Sequence, residues 1–350
     1  MIIFLDKIPK SAAVNECVNL AKRYGHKASS GFVNAILRKV SPDDYLQLFD
    51  VKLPKAEMIS KTQSMPLWII EELLENNTIE EVEEICKNLN LTPCVSIRVN
   101  NVKTTKKELE EIFNKNSIQY EEGELDDFLI LNKAKNIENI EGFKEGLFTV
   151  QDESAGLTCL VLNPKEGQMV LDACSAPGGK TTYMAEIMKN TGNIIAWDVY
   201  EHRINLINEN ANRLGLKNIN TSINDASIYN ENYKEKFDKI LLDVPCLGIG
   251  VIRRKPDIKW QRKQEDVYEI SKLQYKILET CSKYLKPGGE LVYSTCSILK
   301  KENEDVILKF LENNKDFEIK KLDSNKWNEY IKEEKYFSIK PDKKHDGFFI

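Results

Sequence analysis

A chain of 350 residues can hold two or three domains at roughly 100 to 200 residues each and can bury a proper core. Its net charge of −5 supplies no global basic field, so any contact with nucleic acid must be local. The eight cysteines are scattered without a C-x-x-C pair or a secretion signal; this pattern predicts free thiols in a reducing cytoplasm and argues against a metal site. No apolar run approaches the ~20 residues that a membrane helix needs, and there are no repeats or low-complexity tracts.

Residues 1–40 read as two helices. Ser11 is placed to cap the first, which carries Ala13, Val14, Cys17, Val18, Leu20 and Ala21 on one side and stops at Gly25. The second runs over residues 30–40. Ser41-Pro42 and Leu53-Pro54 punctuate a mixed region, followed by helical patterns over 66–75 and 79–90. After Thr92-Pro93 the period changes. Val95, Ile97 and Val99 alternate with Ser96 and Arg98 as in a half-buried strand, Thr105-x-x-Glu108 is a capping box opening a helix with Leu109, Ile112 and Phe113, and 128–131 is a second strand. Arg98, Lys103, Lys106 and Lys107 read as solvated charges.

From Gly146 onward strands at 169–173, 193–198, 219–223, 239–244 and 290–295 alternate with helical patterns. In one helix Ile204, Ile207, Ala211 and Leu214 share a face and Gly215 is the stop. Such alternation predicts an α/β fold with a doubly wound parallel sheet, its ligands at the carboxyl ends of the strands. Residues 317–322 and 347–350 are expected to close it as an antiparallel pair.

The run from Met169 to Ala173 breaks directly into Cys174-Ser175-Ala176-Pro177-Gly178-Gly179-Lys180-Thr181 and a helical pattern, which is a nucleotide-type loop: glycines admit a ligand close to the backbone, and the exposed N–H groups of a helix start favour polar or anionic groups. A phosphate-binding NTPase loop would need glycine where Cys174 stands, and G-x-G-x-x-G is absent. Asp198 ends the second strand 20 residues beyond Gly178, the distance of an acid that binds ribose hydroxyls, which indicates a nucleoside without saying which one.

The fourth and fifth strands end in Asp243-Val244-Pro245-Cys246 and Ser294-Thr295-Cys296-Ser297. If these strands are neighbours, their ends lie about 5 Å apart and both thiols face one pocket. Two thiols at one pocket suit covalent catalysis, in which one attacks and a second group helps release the adduct. Spacing alone leaves open which cysteine does which. After Cys246 and a Leu247-Gly248-Ile249-Gly250 turn come Arg253, Arg254, Lys255, Lys259, Arg262 and Lys263 around Trp260, read as a local phosphate-binding patch with a stacking platform.

The motifs Ser-Ala-Pro-Gly-Gly-Lys-Thr, Asp-Val-Pro-Cys and Ser-Thr-Cys-Ser, in that order, resemble those of the RNA cytosine-5 methyltransferases, most nearly the Sun/Fmu type that acts on 16S (small-subunit) ribosomal RNA. The resemblance implies a class I, Rossmann-like methyltransferase domain that binds S-adenosylmethionine through residues 174–180, Asp198, Arg203, Asp225 and Asp243. It implies that Cys296 is the nucleophile and Cys246 the release group, that Asp243 lies between cofactor and cytosine, that Pro245 orients the base, and that Lys180 reaches the active site. Ile8 to Glu16 and Gly31 to Arg38 resemble the last part of a NusB-like RNA-binding domain, and the strand–helix–strand unit after Thr92 resembles the small RRM-like subdomain of these enzymes. The expected organisation is therefore residues 1–40 as a partial NusB-like segment, 41–145 as helical linker and RRM-like subdomain, and 146–350 as the catalytic domain. The protein is expected to be a cytoplasmic monomer with ribosomal RNA as its partner and no metal. The alternatives are an enzyme acting on transfer RNA, a DNA cytosine-5 methyltransferase, a non-catalytic RNA-binding assembly factor and, last, an NTPase.

Overall fold

The computed structural model describes residues 7–26, 28–41, 53–132, 136–322 and 327–350, and the chain divides into two compact units, residues 1–67 and 68–350. The mixed segment expected after Ser41-Pro42 lies mostly outside the described residues.

The first unit contains α1 (Lys10–Tyr24), α2 (Ser29–Lys39) and α3 (Lys55–Thr62). Ser11 does not cap α1: Pro9 occupies the cap position, so the helix starts at Lys10 and Ser11 lies inside its first turn. Lys10 Nζ instead donates to the Arg38 carbonyl at 2.9 Å, tying α1 to the end of α2.

The second unit opens with α4 (Leu67–Leu74) and α5 (Ile79–Asn88), the latter closed at its start by a Thr78/Glu81 capping box. A small antiparallel sheet follows, built from β1 (Val95–Val99), β2 (Tyr120–Glu122), β3 (Phe128–Leu131) and β4 (Phe148–Val150) in the order β2-β3-β1-β4, with α6 (Lys106–Lys115) between β1 and β2. The Thr105/Glu108 capping box is present as expected, and Leu109 and Phe113 of α6 pack on Ile97, Val99, Leu129, Leu131 and Phe148. Two expectations change. β1 is not half-buried: Ser96 and Arg98 are buried too, because the second face of this sheet also packs, with Phe128 edge-on to Tyr183 at 5.8 Å. Residues 148–150, where no strand is expected, pair with β1 as a fourth strand.

The larger domain begins with α7 (Glu153–Leu162), whose N-cap Asp152 accepts from the Ser154 N–H. Its elements run β5 (Met169–Asp172), α8 (Gly179–Ile187), β6 (Asn193–Asp198), α9 (Glu201–Leu214), β7 (Ile219–Ile223), β8 (Phe237–Asp243), α10 (Ile258–Gln261), α11 (Gln264–Ser282), β9 (Leu285–Ser294) and α12 (Glu304–Asn313). The sheet is wholly parallel, in the order β7-β6-β5-β8-β9. The chain moves outward from β5 to β7 and then returns to the other side of β5, so the switch point lies between the carboxyl ends of β5 and β8, where such sheets bind ligands. The α9 face forms as expected, with Ile204, Ile207, Ala211 and Leu214 buried and Gly215 left-handed at φ 75°. The expected closing pair does not form. Residues 317–322 adopt no strand; Phe317 packs edge-on against Phe310 at 5.2 Å. The antiparallel closure comes instead from β10 (Ile331–Lys332), β11 (Tyr336–Ile339) and β12 (Phe348–Phe349), and β12 bridges to Thr295 beyond β9.

Candidate active site

The loop after β5 is held from several sides. Ser175 donates both its N–H and its hydroxyl to the Trp197 carbonyl, each at 2.8 Å, which fixes the loop against the end of β6. Asn210 of α9 donates to the Pro177 carbonyl at 3.1 Å. Gly178 has φ 99°, and a Cβ there would meet the Ile207 backbone at 3.2 Å, so this position needs glycine for both conformation and space. The first-turn N–H groups of α8 then point from Gly179 onward with no partner within the helix.

Beneath the loop, Asp172 is buried and its Oδ2 accepts from the Thr181 hydroxyl at 2.7 Å. Burial pushes its carboxyl up to about 7, against the hydrogen bond from Thr181. Its Oδ1 is buried without a hydrogen-bond partner, an acceptor that suits the cationic amino-acid end of S-adenosylmethionine. Asp198 ends β6 with its side chain nearly buried; it accepts from the Tyr200 N–H at 3.1 Å and lies 3.7 Å from Arg203. Asp225 is exposed after β7 and accepts from the Ser227 N–H and hydroxyl at 2.9 and 2.7 Å. Cys174 packs among the apolar residues behind the sheet, and burial pushes its thiol well above the ordinary range, so it contributes bulk and backbone rather than a thiolate.

At the ends of β8 and β9 the reactive groups converge. Lys180, the second residue of α8, places Nζ 2.7 Å from Asp243 Oδ2 and 5.0 Å from the centre of the Phe348 ring. Ser294 donates to the other Asp243 oxygen at 2.9 Å, across the register pair that joins the two strands. Burial pulls the Lys180 ammonium down, but the charge and hydrogen bond of Asp243 more than offset it and hold the group above its usual value, so it remains a cation. Cys246 and Cys296 face one another with their sulfurs 3.0 Å apart, both as free thiols. The hydrogen bond to Cys296, then burial, then nearby negative charge raise the Cys246 thiol well above the ordinary range. Both thiols line a cavity of about 470 Å³ whose lining also includes Arg254, Lys255 and Arg262.

The basic run beyond Cys246 is not one surface patch, which corrects the reading of Arg253, Arg254 and Lys259 as phosphate ligands. Arg253 is buried, with Nε 2.5 Å from Asp346 and Nη1 donating to the Asp342 carbonyl at 2.7 Å. Arg254 pairs with Asp346 and, at 2.9 Å, with Asp152, so both arginines tie this segment to the turn before β12 and Arg254 ties it also to the start of α7. Lys259 is buried and donates to Asn90 at 2.5 Å; burial lowers its pKa. Lys255, Arg262 and Lys263 remain exposed, and Trp260 has 67% of its surface open to solvent. The Pro245 carbonyl accepts from Gln274 at 2.9 Å.

Several buried charged groups escape a sequence reading, two of them beside the site. Arg98 of β1, fully buried, donates to Glu186 at 2.7 and 3.1 Å, to the Gly179 carbonyl at 3.0 Å, to Thr182 at 3.2 Å and to Gln151, and lies 4.5 Å over the Tyr183 ring. A strand of the small sheet therefore grips the first turn of the loop helix. The other is Glu302, fully buried within the polar string Lys300 to Asp305.

Among the described residues no helix is long and apolar enough to cross a membrane, and no cluster of three or more His, Cys, Asp or Glu side chains could hold a metal ion.

Comparison with known proteins agrees with this architecture. Residues 159–350 match a family model described as 16S rRNA methyltransferase RsmB/F, residues 1–42 one described as the NusB family, and residues 65–138 one described as a RsmF/B-like ferredoxin-like domain. The chain is 38% identical over 316 residues to the probable ribosomal RNA small subunit methyltransferase B of Bacillus subtilis, covering 90% of this chain and 70% of that protein. It is 35% identical over 309 residues to the ribosomal RNA small subunit methyltransferase B of Shewanella oneidensis, covering 88% and 70%. Among solved structures it is similar to a methyltransferase homolog protein from Pyrococcus horikoshii, with a TM-score of 0.72 and 29% identity over 85% of this chain and 97% of that one. The chain belongs to the family of 16S rRNA methyltransferases RsmB/F, with S-adenosylmethionine as its methyl donor.

Proposed function

We propose that this protein methylates carbon 5 of a cytosine in small-subunit ribosomal RNA through a covalent adduct between Cys296 and carbon 6. The observation that carries this reading is the pair of thiols 3.0 Å apart at the ends of adjacent strands, beside a Lys180–Asp243 ion pair at the cofactor loop. S-adenosylmethionine supplies an electrophilic sulfonium methyl at this site. The Cys296 thiolate adds to carbon 6, and the electron pair of the 5,6 double bond moves to carbon 5, which takes the methyl as the donor's sulfur–methyl bond breaks and leaves a neutral thioether. Loss of the carbon-5 proton and departure of the Cys296 thiolate restore the double bond. The family order of motifs assigns attack to Cys296 and release to Cys246.

The site gives this division a physical basis. Two thiols in contact cannot both ionise readily, and the bond to Cys296 is the largest cause holding the proton on Cys246. Once Cys296 is consumed in a neutral thioether, that restraint ends, so Cys246 can give its own proton to solvent and, as a thiolate, take the proton from carbon 5. Lys180 and Asp243 supply a fixed donor and acceptor at the junction of cofactor and base. Asp198, Asp225 and Arg203 bind the nucleoside end of the cofactor, and the loop residues 174–179 its amino-acid end. Lys255 and Trp260, exposed beside the cavity, take backbone phosphate and a splayed base; the protein works as a monomer in the cytoplasm on rRNA.

The test is transfer of label from S-adenosylmethionine to unmethylated small-subunit ribosomal RNA, with transfer RNA and DNA in parallel and the product mapped by base. The expected result is 5-methylcytosine in ribosomal RNA. Label confined to transfer RNA would discard the ribosomal substrate, and label on another base would discard the chemistry.

A further inference from the structure

We infer that Glu302, together with Asn303 and Gln274, is a buried splint that sets the distance between Cys246 and Cys296. This deepens the proposed reaction and rests on the reading of those two thiols as its working pair.

The sheet itself does not hold the thiols. The β8–β9 ladder ends at the Asp243 and Ser294 register pair, and both cysteines lie beyond it, in turns joined, among the described residues, by a single backbone bond from the Gly250 N–H to the Cys296 carbonyl at 3.0 Å. The contacts around them follow a pattern. Glu302 Oε2 accepts from the Leu247 N–H at 3.0 Å and from Gln274 at 3.0 Å, while its Oε1 accepts from the Ser297 hydroxyl at 2.5 Å. The same Gln274 nitrogen donates to the Pro245 carbonyl at 2.9 Å. Asn303 accepts from the Thr295 hydroxyl at 2.6 Å and donates to the Ser297 carbonyl at 3.0 Å. The residues on either side of Cys246 and of Cys296 are thus all bonded to one small group of side chains, while the two sulfurs are left for the cavity. The Tyr293 hydroxyl donates to the Glu302 carbonyl at 2.6 Å and fixes the backbone of the splint to β9.

The choice of a carboxylate fits this role. Glu302 is fully buried, and among the described residues no Lys or Arg nitrogen comes within ion-pair distance of it. Burial raises its pKa, and the donors from Ser297, Leu247 and Gln274 work against that rise. An unpaired buried carboxylate is costly compared with an apolar side chain. What it offers in return is two oxygens that accept from donors on both turns at once, which no neutral side chain does as fully. The reaction needs that rigidity: a displacement of about 1 Å between reacting groups costs on the order of 100-fold in rate.

Glu302 is therefore a positioning residue, and the test reads thiol spacing without any methyl transfer. The reduced full-length chain is exposed to diamide, and the Cys246–Cys296 disulfide is followed by mass spectrometry of quenched digests. The thiol pair gives up two protons and two electrons, which reduce the diazene to a hydrazine. Wild type should cross-link rapidly. Glu302→Ala should cross-link at least about tenfold more slowly, the factor for one buried hydrogen bond, while still showing cooperative thermal unfolding. Glu302→Gln should restore a rate close to wild type, since it keeps the shape and one acceptor and the Ser297 hydroxyl can turn to accept. Where Glu302→Ala does not fold, Ser297→Ala and Gln274→Ala each remove one strut and carry the same expectation. A folded alanine variant of this set that cross-links at the wild-type rate overturns the splint, whereas absence of methyl transfer by wild type would overturn the proposed reaction and leave this result standing.

Discussion

Replacing Arg98 by Met removes a guanidinium that is fully buried between the small sheet and the loop helix. Its partner Glu186, itself buried, would lose bonds of 2.7 and 3.1 Å, and the Gly179 carbonyl and Thr182 would lose theirs. Removing one member of a buried ion pair strands the other, which costs ~3–5 kcal/mol. Burial already holds the Glu186 carboxyl above its ordinary value despite Arg98, which pulls it down. Protonation of Glu186 therefore favours the folded state, and removing Arg98 raises this carboxyl further. The stability deficit of Arg98→Met should be largest at neutral pH and shrink as the pH falls through the raised Glu186 value. The assay is denaturant unfolding of the full chain at several pH values, repeated for Glu186→Leu and for the double variant. In the double variant most of the loss should be recovered, because two apolar side chains replace a buried pair at little cost. A loss under about 1 kcal/mol for Arg98→Met, the scale of an exposed ion pair, or a double variant no better than the single ones, would refute the reasoning.

Cys296→Ala should abolish methyl transfer while S-adenosylmethionine binding, measured by calorimetry, stays at the wild-type level; retained turnover would remove the nucleophile assignment. Asp198→Ala should weaken cofactor affinity about tenfold or more, as expected for lost hydrogen bonds to a charged acceptor, and an unchanged dissociation constant would deny its ribose role. Trp260→Ala should raise the KM for RNA with little change in unfolding midpoint, since base stacking is worth ~1–3 kcal/mol. Arg253→Ala should do the reverse, lowering stability by ~1.5–3 kcal/mol through the lost charge-assisted bonds to Asp346 and the Asp342 carbonyl, since Arg254 still pairs with Asp346; the opposite assignment of these two effects would show that the basic run is a surface patch after all.

The parallel sheet, its loop and its two cysteine turns were legible because each is written in contiguous residues: apolar runs, a Pro-Gly-Gly break, a strand end. The fate of the charged residues was not. Arg253 meets Asp346 across 93 positions and Arg254 meets Asp152 across 102, so nothing near them in the chain marks them as buried. Arg98 sits at a polar position of an alternating strand, and only the packing of that face on Tyr183 and Glu186 turns a solvent position into an interior one. The closing strands were misplaced for a related reason. Residues 317–322 alternate like a strand, yet Phe317 packs on α12, and Tyr336–Ile339 takes the place beside Phe348–Phe349.

The most direct measurement uses Cys246→Ala, incubated with S-adenosylmethionine and unmethylated small-subunit ribosomal RNA, denatured, and digested for mass spectrometry. Without the release group the adduct should accumulate, and the modified peptide should carry a methylated cytosine nucleotide on Cys296. No adduct under conditions where the wild type turns over, or an adduct on another side chain, would contradict the account.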